Sequence, residues 1–135
     1  MNNKKFLIAL LSVLILVFNS CNNDSTNPTN PKVSFKVSDL VGTWRSTSST
    51  DTFTISREGA VELNFGGQKS STIIGNWNGN EEIPDGGYYD MRCPVNLTAG
   101  GSGELYFRFS SPSDCIVTLF ASSIAAPQQE KFRKQ

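Results

Sequence analysis

Four carboxylates, Glu81, Glu82, Asp85 and Asp90, fall together in the stretch NGNEEIPDGGYYD. Paired carboxylates can run glycosidase-type acid–base chemistry. The proline and glycines of this stretch make it an exposed loop, where solvated charge is the simpler role. Its spacing is not the Asp-x-Asp-x-Asp-Gly of a calcium loop. The chain has no histidine, which removes the usual general base, the commonest metal ligand and every Ser-His or Cys-His nucleophile system. Neither a Gly-x-Ser-x-Gly elbow nor a Ser-x-x-Lys pair occurs. The chain therefore reads as non-catalytic, with no cofactor and no metal.

The other chemistry-bearing residues are the three cysteines, Cys21, Cys93 and Cys115. Cys21 ends a three-part opening: Lys4 and Lys5, then the apolar run FLIALLSVLILVF (Phe6 to Phe18), then Asn19 and Ser20. Basic, apolar and small in that order is the layout of a signal peptide, here residues 1–20. The apolar run falls short of the roughly 20 residues that a membrane-spanning helix needs. FNSC (Phe18 to Cys21) resembles the lipobox of bacterial lipoproteins, with Phe18 and Asn19 where Leu and a smaller residue are usual. The resemblance implies that Cys21 becomes the lipid-modified first residue, carrying acyl chains of the palmitate kind. Two or more chains anchor stably where one does not. Asn22 is not the aspartate that retains some lipoproteins at the inner membrane, so the expected place is the outer membrane. Residues 21–37 then read as lipidated cysteine plus a flexible polar linker, since Asn22 to Lys32 offers no hydrophobic residue to bury.

Cys93 and Cys115 form an even pair in an oxidising compartment, the usual setting for a disulfide. A bond between them contributes around 3 kcal/mol in the chain-entropy picture. Against it, the strand assignment below puts one strand between them. Two strand spacings come to about 9.6 Å, whereas bridged Cα atoms lie within about 7 Å. Both readings stand.

The elements that must carry these residues are strands. Apolar–polar alternation in short runs separated by turn residues predicts strands over 41–48, 51–57, 60–65, 71–78, 88–93, 104–109, 115–122 and 130–134. Glu58-Gly59 supplies a tight turn between the second and third. VSDLVG (Val37 to Gly42) allows one helical turn with Ser38 as its cap. Eight strands in sequence predict an all-β domain at residues 38–135, a small up-and-down antiparallel β-barrel, with a β-sandwich as the alternative.

DLVGTW (Asp39 to Trp44) ahead of such a meander resembles the Gly-x-Trp opening of lipocalins and of small lipocalin-like domains in bacterial lipoproteins; IGNW (Ile74 to Trp77) resembles their mid-domain Gly-x-Trp. The resemblance implies that Gly42 and Trp44 close one barrel end, with Arg133 of the last strand packed over the indole. It also implies a small apolar ligand as partner.

Eight strands can enclose one small ligand or be filled by their own side chains. The expected inward set, Phe53, Ile55, Val61, Leu63, Phe65, Leu105, Phe107 and Phe109, is bulky and favours filling. Tyr88, Tyr89, Tyr106 and Trp77 are the candidates for a ligand at the mouth, each offering an apolar face and a polar tip. The mature balance, twelve basic residues less Lys4 and Lys5 against twelve acidic, argues against nucleic acid. Two functions follow: a lipid-anchored carrier of a small apolar molecule, or a protein-binding envelope module such as an adhesin, inhibitor or accessory subunit. A monomer is expected.

Overall fold

The computed structural model describes residues 14–15, 22–26, 33–97 and 101–135, with side chains from Ser34 onward. Cys21 lies outside the described residues. The strands are β1 (Leu14–Ile15), β2 (Asn22–Thr26), β3 (Val33–Lys36), β4 (Gly42–Ser46), β5 (Thr52–Ile55) and β6 (Ala60–Phe65). They continue as β7 (Gln68–Ile73), β8 (Glu82–Pro84), β9 (Tyr88–Leu97), β10 (Ser102–Phe109), β11 (Asp114–Ala121) and β12 (Gln128–Lys134).

Eight of them form one antiparallel sheet in the order β9-β10-β11-β12-β4-β5-β6-β7, curled into a half-barrel. The all-β expectation holds. The first strand of the meander pairs with the last, Trp44 opposite Lys134. The opening lies between β7 and β9, where the chain makes β8 and pairs it with β3 in a separate two-stranded sheet. β1 and β2 add to the outer edge of β9. The expected linker is thus corrected: Asn22–Thr26 pair with Tyr88–Arg92, and the ordered domain already includes Val33–Lys36.

Local chemistry explains the boundaries. Gly66 and Gly67 both have positive φ (57° and 79°), the two-residue hairpin geometry that continues a right-handed strand pair. β7 therefore starts at Gln68, not Ser71. It ends at Ile73, because Asn76 takes φ 58° and turns the chain; IGNW is a turn, not a strand. Val37–Leu40 form a single 3-10 turn. Its N-cap is Lys36 rather than Ser38, and the Lys36 amide donates to Asp39 Oδ2 at 2.8 Å.

Alternation drives the packing. β4, β6 and β12 bury every second residue, and all eight residues expected to point inward are at most 2 % exposed. Trp44 stacks on Phe53 at 5.7 Å and meets Phe109 edge-on at 5.1 Å. Phe53 also touches Phe107 and Phe132, and Phe132 touches Phe65. Aromatic pairs at such distances add about 0.5–1.5 kcal/mol each beyond their buried area.

Candidate functional site

Among the described residues the interior is packed by its own side chains. A void lined by Phe65, Leu105, Val117, Leu119, Glu130 and Phe132 measures about 10 Å³, no more than a single water needs. Ligand sites of drug size run from about 300 Å³ upward. The ring contacts from Trp44 across Phe53 to Phe132 and Phe65 occupy the space a carrier would leave open.

Barrel closure follows a different pair from the one the resemblance implied. Trp44 is fully buried, and its indole N–H donates to the Leu40 carbonyl at 3.0 Å. Arg133 does not cover it. Strand alternation turns Phe132 inward and Arg133 outward, where Arg133 lies 3.6 Å from Asp114. Lys134 packs on Gly42: its Cε approaches within 2.8 Å of where a Gly42 Cβ would stand, and its Nζ donates to the Asp39 carbonyl at 2.6 Å. Gly42 needs its missing side chain, at φ 136°, to admit that lysine.

The four mouth candidates do not converge. Tyr89 points inward and is fully buried, in contact with Phe109 and Trp77. Among the described residues its hydroxyl has no hydrogen-bond partner, and burial pushes that hydroxyl well above the ordinary tyrosine range, with the Glu81 charge adding to it. Trp77 sits on the β5–β6 turn and donates to the Arg57 carbonyl at 2.9 Å. Tyr88 and Tyr106 lie on the outer face.

That outer face, on β9, β10 and β11, is the most elaborated surface. Asp90 is 4 % exposed. It accepts two hydrogen bonds from Arg108, Nε to Oδ1 at 3.0 Å and Nη2 to Oδ2 at 2.9 Å, and a third from the Tyr106 hydroxyl. This charge-assisted fork raises the Arg108 pKa further. The Tyr106 hydroxyl is also raised, by burial first and by Asp90 next. The Arg108 guanidinium lies 4.7 Å from the Tyr88 ring centre, and Arg92 lies 5.2 Å from that of Tyr106. Of the large apolar side chains exposed to solvent, Tyr88 (39 %), Ile116 (45 %) and Phe120 (44 %) share this face, whereas Ile73 is on β7.

Across the curled sheet, the outer faces of β5, β6 and β7 form an open polar groove of about 480 Å³, with Thr52, Thr54, Glu62, Asn64, Lys69 and Ser71 among its walls. Among the described residues β7 pairs with β6 alone, and β1 comes close to it without pairing.

The acidic loop is dispersed. Glu82 makes an exposed 3.5 Å ion pair with Lys36, Asp85 is exposed, and Asp90 is locked to Arg108. Among the described residues no group of three or more cysteine, aspartate or glutamate side chains is placed to hold a metal. Sequence reasoning missed a different pair, Asp51 and Glu130, 2 % and 5 % exposed. Glu130 Oε1 accepts from the hydroxyls of Ser46, Ser48 and Ser49, and Asp51 Oδ1 accepts from the Gly66 amide at 2.8 Å. Among the described residues the second oxygen of each carboxylate has no hydrogen-bond partner. Burial raises the Asp51 pKa, the Gly66 amide opposes that, and the charge of Glu130 adds to it. The signal was available: Glu130 shares the parity of inward-facing Phe132, and a serine–threonine run, Ser46 to Thr50, precedes Asp51.

Cys93 and Cys115 do not bond each other. Cys115 is a free, fully buried thiol, pushed well above the ordinary range by burial, while Cys93 is disulfide-bonded. The two face inward on β9 and β11 with Phe109 and Leu105 of β10 between them, Leu105 opposite Cys93 and Phe109 opposite Cys115.

No family model matches the chain, and no curated protein or solved structure is similar to it at a significant level.

Proposed function

We propose that this chain is a lipid-anchored envelope lipoprotein whose domain is non-catalytic and binds a protein partner through its outer surface. The observation that carries the reading is the filled core: the recorded void beside Glu130 is about 10 Å³, so a carrier's payload has no room. Anchoring through Cys21 in the outer membrane rests on the opening of the chain, KKFLIALLSVLILVFNSC.

The β5–β7 groove is the surface that best suits a partner. The threonine, asparagine and charged side chains beside it supply hydrogen bonds at the rim.

The test is photo-crosslinking in the native envelope, with a crosslinking amino acid at Ser71 of β7 or at Asn64 of β6. A discrete protein-sized adduct from these sites, absent when the probe replaces Lys131 of β12, supports the reading. An adduct of a few hundred daltons, or none from any site, overturns it.

A further inference from the structure

We propose that the outer face of β12, β4, β5, β6 and β7 receives an extended acidic segment of the partner protein, laid across the strands. This inference rests on the protein-binding reading of the β5–β7 groove and is independent of how the chain is anchored.

Strand register aligns one rank of side chains across this face. Arg133 of β12 stands opposite Arg45 of β4, and Arg45 opposite Thr52 of β5. Thr52 in turn stands opposite Asn64 of β6, and Asn64 opposite Lys69 of β7. Alternation with buried neighbours turns all five outward. Thr52, Asn64 and Lys69 are walls of the groove; Arg45 and Arg133 extend the rank beyond its end.

The charge of this face is one-sided. The chain as a whole is neutral, yet the outward positions of these five strands carry Lys131, Arg133, Arg45 and Lys69 against Glu62 alone. Like charges directly opposite each other on a sheet are destabilising, and Arg45 faces Arg133. Asp114 offsets part of this, 3.6 Å from Arg133 and 3.5 Å from Lys131. Among the described residues Arg45 and Lys69 have no salt-bridge partner. A carboxylate supplies what the fold leaves out, since a guanidinium binds it through two parallel hydrogen bonds.

The spacing fits a peptide. Arg45 and Lys69 are three strand spacings apart, about 14 Å. Residues i and i+4 of an extended chain are also about 14 Å apart. A segment crossing the strands thus sets carboxylates at i and i+4 on Arg45 and Lys69, with Thr52 and Asn64 between them to hydrogen-bond its main chain. Glu62 stands in the next rank, between Thr54 and Ser71. It confines the positive strip to the width of one chain, which suits a peptide better than an anionic membrane surface.

The experiment places a crosslinking amino acid at Ser71 of the full chain in its native envelope, which leaves the rank intact. Arg45→Glu, Lys69→Glu and Glu62→Lys are then added singly. The expected result is a protein adduct whose yield falls several-fold with either glutamate and rises with Glu62→Lys, and whose mapped partner segment carries acidic residues about four apart. Arg45→Glu faces Arg133 with the opposite charge, so its urea midpoint should not fall; Lys69→Glu repeats the test at the far end of the rank. A protein adduct indifferent to these charges, or mapped to a segment without acidic residues, overturns the acidic partner and leaves the protein-binding reading standing. A lipid-sized adduct, or none from either Ser71 or Asn64, overturns both.

Discussion

The indole of Trp77 lies directly on the backbone of Gly59: a Cβ built on that glycine stands 2.5 Å from Trp77 Cγ and 2.7 Å from its Cβ. Two turns distant in sequence are locked by this contact. The indole N–H holds the Arg57 carbonyl, and the Ile74 amide donates to the Gly59 carbonyl at 2.8 Å. Gly59 also has φ 79°, where any side chain is strained.

Gly59→Ala is therefore predicted to destabilise the domain by about 1–3 kcal/mol, from backbone strain plus displacement of the indole. Urea unfolding followed by tryptophan fluorescence measures it. A loss within error of zero would show that the contact is loose. Gly67 is a control of the same kind: its φ is also 79°, yet a Cβ there meets nothing within 4 Å. Gly67→Ala should cost less than Gly59→Ala.

Tyr89→Phe is expected to leave the fold intact and raise stability. The Tyr89 hydroxyl is buried without a hydrogen-bond partner among the described residues, and an unpaired buried polar group carries a desolvation cost that a carbon ring lacks. A gain of about 1 kcal/mol in denaturant unfolding is the predicted result. A loss of similar size would mean that the hydroxyl binds an ordered water.

The meander was readable because its inward residues are large and alternate without a break, Phe53 to Ile55 and Val61 to Phe65. The second Gly-x-Trp misled for a physical reason. Trp77 is needed as a packing element on Gly59, so strand propensity around it yields to a turn with Asn76 at positive φ. Arg133 was misplaced because its position was carried over by resemblance, whereas alternation from Phe132 already turns it outward. The Asp51–Glu130 pair was hidden for the opposite reason. Buried carboxylates are rare enough that a charged residue in a strand is taken as solvent-facing, and only contacts between distant segments reveal that serine hydroxyls satisfy one oxygen.

Asp51 also makes stability depend on pH in an unusual direction. Its native pKa is raised, chiefly by burial and further by Glu130, so the folded state holds that proton more tightly than the unfolded chain. The contribution is fully present below the unfolded carboxylate pKa and is lost as pH rises through the native value. Asp51→Asn keeps an acceptor for the Gly66 amide and cannot ionise. Its stability relative to wild type should therefore improve from about pH 4 to about pH 8, read as the difference in urea midpoints. A difference that stays constant with pH would show that Asp51 does not carry the effect.

The chemistry of sulfur sets the last prediction. The chain has three cysteines; Cys115 is a free buried thiol and Cys93 is disulfide-bonded. A sulfur that carries a diacylglyceryl thioether cannot also form a disulfide, so lipidation of Cys21 and a bond between Cys21 and Cys93 exclude each other. Intact mass measurement on protein extracted from the membrane fraction, followed by non-reducing peptide mapping, separates the two. The lipoprotein reading predicts a chain beginning at residue 21 whose N-terminal peptide bears the glyceryl and acyl mass. A Cys21-containing peptide linked to the Cys93 peptide, two hydrogens lighter than the separate thiols, would overturn the anchor. Cys115→Ser should change neither outcome, because that thiol takes no part in either bond. Its substitution buries a hydroxyl in an apolar site and is expected to cost about 1–3 kcal/mol of stability.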